Sequence, residues 1–349
     1  MEQAAGDVTL EQVGTRVAEY LSEQWQKPVA TLATFRIFGG ASRETYRLQV
    51  QVDGEERGLI VRRDPPTSLI DTERALEYGA YAAIFPTSVP VPEPLFLEED
   101  PVWLGQPFSI MAEIRGGITD VSMLTPAQRQ RIGEEKWAVL GRLAACDPVE
   151  LGFDRITRIP AAGDCAAEQL AYWEQVILND EIHPQPVPQA AIRWLKRHMP
   201  APAQKLSVVH GDYRTGNFLF DPEQGVLGIL DWEMCHVGDP LEDLAWSLDP
   251  LWSWAAPELA GRLLPHKEAV KIWEQASGLR VDADDFLWWR VFNAVKAVGI
   301  WISSSEDFHH GASKDAILAM AGWIMTDREN RILLDYLSPF SKQLFGRVS

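Results

Sequence analysis

The 349-residue chain has only three cysteines, Cys146, Cys165 and Cys235, widely spaced and without a Cys-x-x-Cys pair. That excludes a disulfide-stapled scaffold and a cysteine-rich zinc module, and it suits a reducing compartment. The seven histidines form no His-Glu-x-x-His motif. Long hydrophobic runs are lacking as well. The longest strictly apolar stretch, Ala316 to Met325, is ten residues, against the roughly 20 of a spanning helix. Basic residues are scarce: 32 Lys and Arg against 50 Asp and Glu leave a net charge of −18. Such a surface repels phosphate backbones and anionic lipid, so neither a nucleic-acid nor a membrane partner is expected, although a local basic site for one nucleotide is compatible with it. Met1 to Leu10 carries no basic or apolar segment of a secretory signal, and the expected location is cytoplasmic. The oligomeric state is not specified by these features.

What is present is an ordinary soluble composition, 46% hydrophobic and 23% charged, over a length of about two domains. The first thirty residues have a helical period, with Val13, Val17, Tyr20 and Leu21 on one face. From Thr31 the period becomes alternating. Strands are predicted around Ala33–Ile37, Thr45–Val52 and Gly58–Arg62, the last two joined by the hairpin signal Asp53-Gly54. A helix follows from Asp71 to Phe85, capped by Asp71 or Thr72, then a Pro-rich connector and two strands, Leu95–Leu97 and Pro107–Met111. Beyond Gly116-Gly117 the pattern is mainly helical: Pro126–Ala145, Cys165–Leu178, Gln189–His198, Leu241–Leu248, Pro257–Leu264, His266–Ala276, Asp284–Ser303 and Ala312–Asp327. A strand-rich island, Leu206–Leu230, interrupts it. The expected organisation is a helical segment over 1–30, a strand-rich lobe over 31–115 and a helical lobe over 116–349.

The island carries the chemistry. It reads His210-Gly211-Asp212-Tyr213-Arg214-Thr215-Gly216-Asn217, a short strand, a turn, a second strand, then Asp231-Trp232-Glu233. Two short strands joined by a turn set their outer ends side by side, so Asp212, Asn217 and Asp231 are expected to converge. A carboxylate base beside an amide-plus-carboxylate pair is what hydroxyl activation next to Mg²⁺ requires, and hard oxygen donors suit that ion. Taken alone, Asp212 and Asn217 also fit the role of turn residues capping a loop.

The Asp-x-x-x-x-Asn spacing, with Asp231 following, resembles the protein-kinase catalytic loop and its metal-binding Asp. Together with His210-Gly211, Trp232-Glu233 and Gly238-Asp239-Pro240-x-x-Asp243-Leu244, it resembles the aminoglycoside phosphotransferase and choline-kinase-like superfamily. Within that group it is most similar to the phosphotransferase enzyme family of bacterial small-molecule kinases, related to acyl-CoA-dehydrogenase-associated kinase domains. The likeness covers about residues 30 to 330. It implies an α+β, protein-kinase-like two-lobe fold, with a small antiparallel lobe holding one helix and a larger helical lobe. It implies transfer of the γ-phosphoryl group of ATP or GTP to a hydroxyl of a small-molecule acceptor, with Mg²⁺ as cofactor. By the same resemblance Asp212 would be the base, and Asn217 and Asp231 the metal ligands. Gly39, Gly40, Ala41 and Ser42 would form the phosphate loop, Glu77 would pair with Arg62 of the third strand, and Met111, Glu113 and Ile114 would lie on the hinge that meets the nucleobase.

The chain departs from the pattern at three places. The phosphate loop lacks a full Gly-x-Gly-x-x-Gly, Arg62 stands where kinases have Lys, and Gly211 replaces the Arg of His-Arg-Asp. Arg keeps the charge and forks onto phosphate oxygens, whereas the loss at 211 removes the docking point for an activation-loop phosphate. A nucleotide-binding pseudokinase and a metal-dependent phosphohydrolase are the alternatives, and ATP consumption with and without acceptor separates them. His210, Asp239 and Asp243 are read as braces and caps, and Asp282-Asp284-Asp285 as a helix start. The Trp residues at 246, 252, 254, 288, 289 and 301 are read mainly as core, with one or two lining an acceptor site. Indole walls favour an apolar hydroxylated acceptor over an aminoglycoside.

Overall fold

The computed structural model describes residues 8–37, 44–64, 74–254, 256–311 and 316–338. The expected phosphate loop, Gly39 to Ser42, and the expected helix caps at Asp71 and Thr72 lie outside them. Helix α1 (Leu10–Trp25) starts from a capping box between Thr9 and Gln12 and stops at Gln26, which adopts the left-handed conformation. Three antiparallel strands follow: β1 (Val29–Ile37), β2 (Glu44–Val52) and β3 (Glu55–Arg63). Asp53 and Gly54 both have positive φ, 52° and 83°, the combination that lets a two-residue turn match the twist of β2 and β3. After α2 (Arg74–Ile84) come β4 (Pro94–Glu98) and β5 (Phe108–Ala112), completing a sheet of order β1-β2-β3-β5-β4.

One face of that sheet buries Leu48, Val50, Leu59, Val61 and Ile110 against Val13, Val17, Tyr20 and Leu21 of α1. The Tyr20 ring meets Phe96, Trp103 and Phe108 edge-on at 5.3–5.8 Å. Each such side chain contributes roughly 1.5–3 kcal/mol by burial, so α1 is part of this core and not an appendage to it.

The rest of the chain contains α3 (Pro126–Ala145), α4 (Cys165–Asp180), α5 (Pro186–Arg197), β6 (Ser207–Val209), β7 (Phe218–Asp221), β8 (Gly225–Ile229), β9 (His236–Gly238), α6 (Leu241–Ser247), β10 (Leu259–Ala260), β11 (Leu264–Pro265), α7 (His266–Ser277), α8 (Ala283–His309) and α9 (Ala316–Leu337). β6 pairs with β9, and β7 with β8. Two compact units result. The first holds the described residues up to Ile118 together with Leu219–Asp221 and Leu227–Glu233; the second holds Thr119–Phe218, Pro222–Val226 and the described residues from Met234 onward. Asp231 therefore belongs to the sheet unit although it follows Asp212 by only 19 positions. Among the described residues, no helix is long and apolar enough to cross a membrane.

The structure corrects two expectations. Pro257–Leu264 is not a helix: β10 and β11 pair across a turn in which Gly261 and Arg262 have φ of 52° and 65°. The helix expected over Gln189–His198 begins earlier, because Pro186 and Pro188 open α5, where a proline's missing N–H costs nothing.

Candidate active site

In the sheet unit the site grows from the end of β3. Arg62 is mostly buried, and its guanidinium lies between two carboxylates, ion-paired to Glu77 of α2 and 3.2 Å from Oδ1 of Asp231. Glu77 is 2% exposed, so the pair it makes with Arg62 is held away from water. One turn further along α2, Tyr81 accepts a hydrogen bond from the Asp231 backbone N–H at 2.9 Å. Burial pushes its hydroxyl up to about 12, and Asp231 adds to that. Asp231 has φ of 69°, a conformation that costs a non-glycine residue energy and is kept where surrounding bonds fix it. Glu77 and Tyr81 stand four residues apart, on one face of α2, and together they hold both Arg62 and Asp231.

Met111 is buried at the end of β5. Ala112 donates its N–H to the Glu93 carbonyl at 2.8 Å, and Glu113 donates to Gly58 at 2.9 Å. The Glu113 carboxylate pairs with Arg47 at 2.5 Å and fills the space over Gly58 that any side chain there would need. Ile114 likewise lies over Gly228 of β8, so closely that a Cβ at 228 would collide with it. Sequence reading missed Gly228; a glycine inside a short apolar strand is the signal that points to such close approach.

In the helical unit Asp212 is held from three sides. Its Oδ2 accepts from Arg214 Nε at 3.1 Å and from Asn217 Nδ2 at 2.7 Å, while Oδ1 accepts from the Trp246 indole at 2.8 Å. Asn217 also donates to the Asp212 backbone carbonyl at 2.9 Å. Both amide hydrogens of Asn217 are thereby used, which fixes the amide and leaves Oδ1 as its donor atom for a cation.

The loop itself is braced from below. Asp243 accepts from the backbone N–H groups of His210 at 2.6 Å and Gly211 at 3.0 Å, and burial raises its carboxyl above the usual range. His210 is buried and accepts, through Nδ1, the Asp212 N–H at 3.1 Å. Asp239 caps α6 through the Leu241 N–H at 2.9 Å. Asp282 caps α8 at Asp284 and Asp285. Lys136 of α3, buried, donates to Thr215 Oγ1 at 3.1 Å and sits over the rings of Trp137, Tyr213 and Phe218. Burial, reinforced by Arg214, brings its ammonium down to about 7. No sequence motif announced Lys136.

Gly211 explains its own departure from the kinase pattern. It has φ of 83°, and a Cβ there would collide with the Met234 carbonyl oxygen. Gly211→Ala is expected to cost about 1–3 kcal/mol of stability, read as a lowered urea midpoint; an unchanged midpoint would show that the loop relaxes freely.

A cavity of about 280 Å³ adjoins this loop within the helical unit. Arg214, Thr215 and Gly216 form one wall, and Trp252, Trp254 and Trp301 form others. Trp246, Trp288 and Trp289 are core residues, each 2% exposed or less.

The sequence profile of the Phosphotransferase enzyme family matches residues 34–279. Among curated proteins, Acyl-CoA dehydrogenase family member 10 of Mus musculus is 33% identical over 214 residues, 60% of this chain and 19% of that protein. Acyl-CoA dehydrogenase family member 11 of Homo sapiens is 28% identical over 249 residues, 68% of this chain and 31% of that protein. The chain thus spans about a fifth to a third of the length of these relatives. Among solved structures, a Ralstonia eutropha JMP134 protein provisionally named an aminoglycoside phosphotransferase aligns with a TM-score of 0.75 at 23% identity, covering 92% of this chain and 97% of that one. A thermostable mutant of aminoglycoside phosphotransferase APH(4)-Ia, in ternary complex with ADP and hygromycin B, aligns with a TM-score of 0.59 at 16% identity, covering 90% and 98%. These structural likenesses establish a shared fold. With its sequence matched from the first strand of the sheet through the Asp212 loop to the end of α7, the chain belongs to the phosphotransferase enzyme family, small-molecule kinases of α+β, protein-kinase-like fold.

Proposed function

We propose that the chain transfers the γ-phosphoryl group of ATP or GTP to a hydroxyl of a small molecule, with Asp212 as the base. The observation that carries this reading is the Asp212 carboxylate, whose lone-pair positions are taken by Arg214, Asn217 and Trp246 except for one on Oδ1. A substrate hydroxyl hydrogen-bonded at that position gives up its proton to Oδ1 as its oxygen bonds to the γ-phosphorus and the bond from that phosphorus to the bridging oxygen breaks, releasing the nucleoside diphosphate. Arg214 and the indole keep the carboxylate aimed. The transition state is loose, so the remaining work is positioning and charge neutralisation. Arg62 presents a permanent charge to the phosphates, steadied by Glu77 and Asp231. Met111, Glu113 and Ile114 lie on the segment whose main chain would meet the edge of a nucleobase.

By residue type each suits Mg²⁺: the amide oxygen of Asn217 and the carboxylate of Asp231, the two groups that would hold it, are hard donors of the kind that share the ion with phosphate oxygens and water. Bound there, the ion would neutralise phosphate charge. Asp231→Ala is expected to abolish the Mg²⁺-dependent part of nucleotide affinity, measured by titrating the chain with a fluorescent ATP analogue with and without Mg²⁺. Affinity that responds to Mg²⁺ equally in both proteins would remove Asp231 from this role. Steady ADP release without any acceptor would favour a phosphohydrolase, and no ADP release in any mixture would favour a nucleotide-binding module.

A further inference from the structure

The cavity beside the Asp212 loop has a charge opposite to that of the chain. Its walls carry Arg214, Arg262 and Arg328 against one carboxylate, Asp120, in a protein with a net charge of −18. Arg214 is engaged by Asp212 at 3.1 Å. Asp120 is engaged too: both its oxygens accept from Ser122, at 2.8 and 2.6 Å, capping a short helical turn. Arg262 and Arg328 form no ion pair with a carboxylate within 4.0 Å among the described residues, although Asp327 and Arg331, on either side of Arg328, pair with each other at 2.9 Å. Arg328 is also held in place, its guanidinium 3.7 Å over the Trp254 ring. Stacking occupies the face of the guanidinium and leaves its in-plane N–H fork for an oxyanion.

We infer that the acceptor is a hydroxylated organic anion, a carboxylate or a phosphate ester, whose charged end is bound by Arg262 and Arg328 and whose apolar body lies against Trp252, Trp254 and Trp301. This rests on the phosphotransferase reading above, and it narrows the acceptor. A polycationic sugar placed here would meet three guanidiniums and one occupied carboxylate. An uncharged apolar alcohol would fill the indole walls but leave Arg328 without an ion-paired carboxylate and Arg262 with only the more distant charge of Asp120. An anion satisfies both sets of groups. The long-range field of an acidic chain works against its approach, so the pocket must bind it by contact, through charge-assisted forks.

The test uses one chain with four head groups: 6-hydroxyhexanoate, 6-hydroxyhexyl phosphate, methyl 6-hydroxyhexanoate and 6-amino-1-hexanol. Binding is read by tryptophan fluorescence without nucleotide, and turnover separately by ADP release. The two anions should bind at least about tenfold more tightly than the ester and the amine. Arg328→Gln and Arg262→Gln should each remove that preference while circular dichroism shows both variants folded. Charge reversal, Arg328→Glu, should shift the preference toward the amine. Binding that is indifferent to the head group, or an anion preference untouched in both Gln variants, would overturn the inference. Anion binding lost in the variants but never accompanied by ADP release would uphold the pocket and reject the transfer reaction.

Discussion

Asp212→Asn should lower kcat by at least about 10²-fold, the scale of general-base loss, while the Kd for nucleotide stays nearly unchanged. The geometry makes this substitution informative. The carboxylate accepts on both oxygens, from Arg214 and Asn217 on Oδ2 and from Trp246 on Oδ1. An asparagine has one acceptor oxygen, so in either amide orientation its NH₂ faces a donor. Orienting the oxygen toward Arg214 and Asn217 keeps two bonds and loses the one to Trp246, at a cost of about 1–3 kcal/mol. The loop should survive that loss, because Asp243 and Lys296 anchor it from the other side. A variant that stays folded, binds nucleotide and cannot transfer is the expected outcome of stopped-flow binding and ADP-release assays. Wild-type turnover in this variant would take the base role away from Asp212.

Much of this local architecture is written in short-range sequence. The Asp53-Gly54 turn fixes β2 against β3 and so the position of Arg62. The spacing of Asp212 and Asn217 is that of one tight loop, and their side chains do hydrogen-bond. The ion pair of Arg62 with Glu77, implied by the resemblance, is present. What could not be read is what arrives from far along the chain. Tyr81, Lys136, Trp246 and Lys296 reach the loop or Asp231 from elements whose own periodicity signals only a buried face. Trp246 looked like core and is core, yet its indole N–H is the group that holds Asp212 Oδ1.

The misreading at 257–264 has a local cause. Leu259, Leu263 and Leu264 fall at helical spacing, and the left-handed pair Gly261 and Arg262 that reverses the chain is announced only by one glycine. β9 is three residues long and pairs with β6 across 26 intervening positions, which no local pattern specifies. The cationic pocket was invisible for the opposite reason. Net charge averages over the whole chain, and the sequence expectation of a mainly apolar acceptor followed from the tryptophans and from reading Asp282-Asp284-Asp285 as a helix start. Arg262 comes from the β10–β11 turn and Arg328 from α9, so the charge excess exists only once the helical unit is folded.

Breaking the ion network beneath the loop should have the largest effect on stability. Lys296 of α8 donates to the Glu242 carboxylate at 2.9 Å and to the Gly211 carbonyl at 2.7 Å, and Glu242 also meets His236 Nε2 at 3.0 Å. Lys296 and Glu242 are each about 1% exposed. Burial works against the Glu242 charge, but Lys296 and His236 outweigh it and bring the carboxyl down to about 2. Burial likewise works against the His236 charge, and Glu242 outweighs it, so the imidazole is raised. Lys296→Met strips Glu242 of its main counter-charge and should cost about 3–5 kcal/mol, as removal of one partner of a buried pair does. Lys296→Met combined with Glu242→Leu removes both charges and should recover most of that loss. The pH dependence has a definite sign. Glu242, depressed from 4.5, contributes stability above about pH 4.5 that fades as pH falls toward 2. His236, raised from 6.5, contributes below about pH 6.5 and loses that contribution as pH rises through its folded value. The wild-type advantage over the double variant should therefore peak between about pH 4.5 and 6.5 and shrink on both sides. Urea titrations of the three proteins across pH 3 to 9 read this directly. A single variant as stable as wild type at pH 5.5, or an advantage flat with pH, would show that the network contributes packing alone.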